Sequence, residues 1–269
     1  MIEGPPAAPA AAGGASIVGQ AVGKRFETRN GPFTAIDDVS FAIAGGEFVS
    51  LIGPSGCGKS TLMLICAGLM AASSGAILID GRRLDRPLTD VGIVFQDHLL
   101  LDFRTGLDNV LLQPQIRRQP LPPARDAARL LFQKLGLDQA ADRYPKQLSG
   151  GMRQRVSIAR ALIHQPSILF MDEPFGALDA ITRTQIRHDL ELLWMETRKT
   201  VLFITHSIEE AIGLSDRVLV MSPSPGRIVD EIAIGLPRPR PAHLGAYPSF
   251  NAYAERIHGV LRRLGVIRY

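Results

Sequence analysis

Nine residues constrain this chain more than any others. Gly53-Pro54-Ser55-Gly56-Cys57-Gly58-Lys59-Ser60-Thr61 follow Glu47-Phe48-Val49-Ser50-Leu51-Ile52, which reads as a buried strand, and lead into Leu62-Met63-Leu64-Ile65, which reads as a helix. The glycines let successive backbone N–H groups turn inward around a phosphate, and the helix start adds the positive end of its dipole. In such a loop, Gly53 through Thr61 would bind nucleotide. Lys59 would meet the β and γ phosphates, and Ser60 would set its hydroxyl on Mg²⁺, a cation that takes oxygen ligands and keeps several waters. The bland alternative is a glycine-rich turn with a surface lysine, and the strand before it and the helix after it weigh against that.

A second candidate group follows a second apolar run. In Ile168-Leu169-Phe170-Met171-Asp172-Glu173, four apolar residues precede two carboxylates, so a buried strand delivers its charges at its carboxyl end, where α/β sheets hold ligands. Asp172 is suited to hold Mg²⁺ and Glu173 to take a proton from an attacking water. Between the two groups, Leu148-Ser149-Gly150-Gly151-Met152-Arg153-Gln154-Arg155 reads as a turn opening a helix, a second anion site.

The remaining chain supplies the frame. Ile17 to Phe26 and Ala35 to Ile43 alternate like antiparallel strands, and Asp80-Gly81 marks a hairpin turn after Ile77-Leu78-Ile79. Residues about 97 to 163 carry helical spacing, as in Ala124 to Leu135 with Gly136 as the stop, and suggest an inserted helical lobe. Strand and helix then alternate: Ile168 to Asp172, a helix from about Asp179 to Thr197, Thr200 to Thr205, a short helix from Ile208, and Arg217 to Met221. Ser207 and Glu210 give that short helix a capping box. The expectation is a mostly parallel α/β sheet with helices on both faces. Residues 1 to about 15, rich in Ala, Pro and Gly, read as a disordered tail. Beyond Pro237, Ile257, Val260, Leu261 and Leu264 form an apolar stripe with Arg256, Arg262 and Arg263 elsewhere, which reads as a closing helix; a membrane-surface role for its arginines is the alternative.

Composition decides less. With 46% apolar residues and mean hydropathy +0.10, the chain of 269 residues can bury a sizeable core and is not of the disordered class. No run of 18 apolar residues occurs, and the start of the chain lacks the basic and apolar regions of a secretory signal. Cys57 and Cys66 are the two cysteines, so a disulfide framework is excluded and a reducing compartment is expected. The net charge of +4 and pI near 9.3 would ordinarily raise nucleic acid as a partner. The basic residues are 25 Arg and 5 Lys, scattered through the chain, which reads as genome composition; no nucleic acid is expected.

With all these motifs in order, the chain from about Ser16 onward resembles the ATP-binding cassette (ABC) family, in particular the importer ATPases of the nitrate, sulfonate and taurine group. The features closest to that group are the Leu148–Arg155 signature, Leu193-Trp194-Met195-Glu196-Thr197 and Pro225-Gly226-Arg227-Ile228. The resemblance implies an α/β P-loop NTPase (RecA-like) core with an N-terminal antiparallel β subdomain and an inserted α-helical subdomain. It implies residues 16–236 as the nucleotide-binding domain, with the helical part at about 97–163, and 237–269 as an extension with the closing helix. It also assigns roles: Gln96 as the Q-loop residue and a Mg²⁺ ligand with Ser60 and Asp172, Glu173 as the base, His206 as the γ-phosphate switch, and Phe26 as the aromatic on adenine. Each has a plainer alternative, a solvated strand end for Gln96, a locally bonded His206 and a core-strand Phe26. Two such chains, as a homodimer or with a second ABC ATPase, would close head to tail, with Ser149, Gly150, Gly151 and the D-loop Asp179 of one covering the ATP of the other.

A membrane permease would dock near Gln96 to Phe103, and a substrate-binding protein would act indirectly. The implied location is peripheral, on the cytoplasmic side of the inner membrane. Two departures stand out. Leu100-Leu101-Asp102-Phe103 replaces the Pro-Trp common after the Q-loop, which puts the cognate permease and its solute in doubt, and Ser207 replaces the commoner Asp after the switch histidine. The competing class is a soluble, non-transport ABC ATPase of nucleic-acid or cofactor metabolism.

Overall fold

The computed structural model describes residues 14–29, 31–241 and 243–267. Two sheets are arranged around one helix that begins at Lys59. The first is antiparallel, in the order β2 (Gly31–Ile43), β1 (Ile17–Thr28), β4 (Ser74–Ile79), β5 (Arg82–Arg83). The second has the order β10 (Ile228–Ala233), β9 (Arg217–Met221), β3 (Phe48–Ile52), β8 (Thr200–Ile204), β7 (Ile168–Asp172), β6 (Val91–Val94). Its strands are parallel except β10, which closes the edge against β9.

The period of two along these strands sorts the core. Val49, Leu51, Phe170, Leu202, Ile204 and Leu219 point to one face, where α1 (Lys59–Cys66) and the antiparallel sheet lie with Ile17, Val22, Leu62 and Met63. Phe48, Leu169, Met171, Val201 and Phe203 point to the other, where α5 (Gly150–Leu162) and α6 (Ala180–Thr197) bring Val156, Ile158, Ile186 and Trp194. Val218, Val220 and Ile52 meet α7 (Ile208–Leu214) and α8 (Pro248–Arg263) through Ala211, Ile212, Ile257 and Val260. Helices therefore cover one face, and the expected helices of the other are α1 plus a second sheet.

Between β6 and β7 the chain is helical: α2 (Gly106–Val110), α3 (Leu112–Ile116), α4 (Leu121–Lys134) and then α5. Helix α4 starts three residues before the expected Ala124, because Pro122 and Pro123 fall in the first turn, where a missing N–H costs nothing. It ends as Gly136 suggests, with φ 60° there and bonds from Gly136 N to Gln133 O and Leu137 N to Phe132 O. Asp80 and Gly81 both take positive φ, at 48° and 74°, the turn that joins β4 to β5.

Two expectations change. The tail reading for residues 1–13 lies outside the described residues, but Ala15 is buried and its carbonyl accepts from Thr200 Oγ1 at 2.7 Å, so the packed chain begins before Ser16. The capping box at α7 is half formed. Ser207 Oγ accepts from Glu210 N at 3.3 Å, while the Glu210 carboxylate takes the Thr205 hydroxyl instead of returning to Ser207 N.

The stretch after β10 is fastened by a buried ionic knot. Arg238 Nη1 reaches Glu191 Oε1 at 2.9 Å, Arg240 N reaches Glu191 Oε2 at 2.9 Å, and the Arg238 guanidinium lies over the Trp194 ring. Arg240, 2% exposed, also donates to the carbonyls of Ile212 and Ser215, and burial pushes its guanidinium down to about 10. Removing one partner of such a knot leaves charge stranded in the interior. Glu191→Ala should therefore lower unfolding free energy by about 3 kcal/mol or more in denaturant titration; a loss below about 1 kcal/mol, the scale of an exposed pair, would contradict the knot's role.

Candidate functional site

The carboxyl ends of β3, β8 and β7 lie side by side, with Leu51 in register with Ile204 and Ile204 with Asp172. Whatever follows each strand is delivered to the same edge. After β3 comes the Gly53–Thr61 loop, after β7 come Asp172 and Glu173, and after β8 comes His206.

In the loop, Gly56 and Gly58 have φ of 75° and 102°, a conformation other residues rarely adopt. A Cβ on Gly58 would also crowd Ile36 and the Ala35 carbonyl of β2. Lys59 is 6% exposed, and its ammonium donates to the carbonyls of Gly53 at 2.9 Å and Pro54 at 3.0 Å, so the side chain curls across its own loop. Helix α1 has no side-chain cap at its start. Its first N–H groups are left as donors for an anion.

Burial pushes the Asp172 carboxyl above its ordinary value, while the neighbouring Ser60 hydroxyl opposes the push, Glu173 adds to it and the Lys59 ammonium again opposes it. A positive counter-charge at this spot would favour the ionised form. Ser60 and Asp172 supply the hard oxygens that suit Mg²⁺, which is held through one or two protein oxygens plus phosphates and water. Gln96 is exposed, two residues past β6, the strand next to β7.

Glu173 has φ 43°, a strained value for a non-glycine residue. It is held there by its N–H on Ile204 O at 2.9 Å and by its carbonyl accepting from Gly176 at 3.2 Å. Its Oε2 lies 3.1 Å from His206 Nδ1, and the side chains are 20% and 59% exposed. The pair sits at the strand edge, with the His206 ring open to solvent.

Ser149, Gly150, Gly151 and Asp179 form a second group that shares no hydrogen bond with the loop among the described residues. Ser149 Oγ caps α5 by accepting from Met152 N at 3.2 Å, and Asp179 caps α6 by accepting from Thr182 N at 3.0 Å. That bond holds the exposed Asp179 carboxyl below its usual range. Gly151 abuts Thr182 so closely that a Cβ would overlap its methyl, which joins the two helix starts. Phe26, half-buried on β1, pairs across to Phe33, and the Lys24 ammonium lies 5.1 Å from its ring centroid. Phe33 is two residues along β2 from Ala35, which touches the loop.

Sequence reasoning missed three supports. Gly226 seats the loop from below: its N–H donates to Ala35 O at 2.9 Å, its carbonyl accepts from Asp37 N at 3.1 Å, and a Cβ would overlap the Cys57 carbonyl. A glycine after proline was the one available signal, and it reads equally as a turn. Glu210 is a buried carboxyl on Thr205, beside His206, and burial raises it above its ordinary value. Asn109 is wholly buried and holds the backbone at Leu101, Arg104 and Thr105. Neither polar residue carries a pattern that marks burial.

Residues 36–176 match the ABC transporter family. The chain is 42% identical over 236 residues to the nitrate import ATP-binding protein of Synechococcus elongatus, covering 87% of this chain and 86% of that protein. It is 46% identical over 233 residues to the taurine import ATP-binding protein of Rhizobium johnstonii, covering 84% and 88%. Among solved structures, the dimeric post-hydrolysis state of an ATP-binding cassette bound to ADP and Pi superposes with TM-score 0.72 at 31% identity, over 81% of this chain and 98% of that one. The matched segment contains the Lys59 loop and both carboxylates, and the chain belongs to the ABC transporter family.

Proposed function

We propose that this chain is the ATP-hydrolysing subunit of an importer that carries a small anion or related organic solute of the nitrate, sulfonate or taurine type through a membrane permease. The carrying observation is the convergence on one strand edge of the Lys59 loop, the Ser60–Asp172 pair and the Glu173–His206 pair. The chain is an ABC ATPase; its relatives include nitrate and taurine import ATP-binding proteins, which disfavours the soluble, non-transport reading.

In this reading the loop N–H groups and Lys59 take the phosphates of ATP, and Phe26 stacks on its adenine. Ser60, Asp172 and Gln96 would hold Mg²⁺, which would supply positive charge against the phosphates. Glu173 receives a proton from the attacking water, and His206 holds the Glu173 carboxylate until a γ-phosphate draws it away. Water would be positioned within hydrogen-bond reach of Glu173 Oε1 or Oε2, and the constrained backbone at Glu173 supports that reading. Ser149, Gly150, Gly151 and Asp179 would complete the site from a second copy or a second ABC ATPase.

Residues 16–236 then form the nucleotide-binding domain, with a helical subdomain at about 97–163, and 237–269 an extension. No helix among the described residues is long and apolar enough to cross a membrane. Attachment therefore falls to a permease docked near Gln96 to Phe103, where Leu99 and Phe103 are 56% and 75% exposed, with the chain peripheral on the cytoplasmic side. The substrate-binding protein acts only through that permease.

Glu173→Gln should keep ATP affinity, lower kcat by about 100-fold or more, and trap a dimer in size-exclusion chromatography with ATP. Wild-type turnover by this variant would remove Glu173 as the base. Gly226→Ala should weaken equilibrium ATP binding about tenfold by shifting the Cys57 peptide; unchanged affinity would show that the loop tolerates movement of its seat.

A further inference from the structure

The segment after Gln96 is tied to two helices. His98 Nδ1 lies 2.6 Å from Gln154 Oε1, Arg160 donates to the carbonyls of His98 at 2.8 Å and Leu99 at 2.6 Å, and Asn109 holds both backbone groups of Leu101. Leu99 is kept at φ 48°, a value its side chain disfavours. Gln154 and Arg160 both belong to α5, the helix whose first turn is the Ser149-Gly150-Gly151 group. Gln154 is four residues past Gly150, about 6 Å along a rigid helix.

Gln154 is wholly buried, and its Nε2 has no hydrogen-bond partner among the described residues. A buried amide with a spare donor is unfavourable, and packing alone would be better served by an apolar side chain. The contact that gives this carboxamide a purpose is the one to His98.

We infer that His98 is a positioning residue for ATP hydrolysis: through Gln154 it locks the segment that follows Gln96 to the helix start that must reach the nucleotide of the second chain. The inference rests on the two-chain site proposed above. Movement of the exposed Leu99 and Phe103 is thereby passed to Gly150, about one helical turn from Gln154, and to Ser149 beside it, without passing through the Lys59 loop. His98 does not touch the reacting atoms.

The test compares His98→Leu, which removes the donor, with His98→Asn, whose amide nitrogen stands near the position of Nδ1. In the full-length chain, His98→Leu should lower kcat at least about fivefold while equilibrium binding of ATP to the Lys59 loop stays unchanged, and His98→Asn should restore most of the rate. In the Gln154→Met background, His98→Leu should have no further effect on kcat. Equal kcat for wild type and His98→Leu would overturn the inference, and so would additive losses in the double variant or a parallel loss of ATP affinity and thermal stability. Absence of hydrolysis by the wild type would instead overturn the proposed function.

Discussion

The register of three parallel strands is the constraint on which the rest of this structure depends. Because Leu51, Ile204 and Asp172 stand side by side on β3, β8 and β7, the phosphate loop, the carboxylate pair and the histidine emerge at one height. A slip of one residue in β7 would turn Asp172 to the other face and exchange the buried sets of Leu169 and Phe170. The two cores hold that register from opposite sides, so a site made of three separate chain segments costs no additional fastening. At that edge the backbone is strained at Glu173.

What surrounds the edge is stabilised by different means. Gly226 fits under the loop because it lacks a side chain, and the loop is braced from inside by Lys59 on its own carbonyls. The helical stretch between β6 and β7 shares the core of Trp194 and Phe203, yet its link to the site edge is polar, through His98, Asn109, Gln154 and Arg160. Apolar packing sets where the helices sit. Hydrogen bonds set how the connecting loop is held against them.

The parts of this structure that were legible in the sequence are those with strong local rules. Phe48 to Ile52 and Ile168 to Met171 are short runs buried along their length, and Gly56 and Gly58 of the loop stand where positive φ is needed. Strand β10 was not anticipated, since Ile228 to Ala233 is an edge strand with one buried residue and no clear apolar alternation. The start of α4 was missed because proline reads as a breaker unless the first turn is already known. Glu210, Asn109 and Gln154 are ordinary polar letters in the sequence, and their burial follows only from tertiary packing. Gly226 acts on the loop from 169 positions away, which no local pattern reports.

In the proposed two-chain assembly, each ATP is held by Lys59 of one chain and covered by Ser149 of another. The most direct measurement mixes two variants of this chain, Lys59→Ala and Ser149→Arg, each inactive alone. In the mixed dimer one site carries both defects and the other carries none, so ATP hydrolysis should reappear on mixing. If the mixture stays as inactive as its components although mixed dimers form, the site is complete within a single chain and the account is wrong.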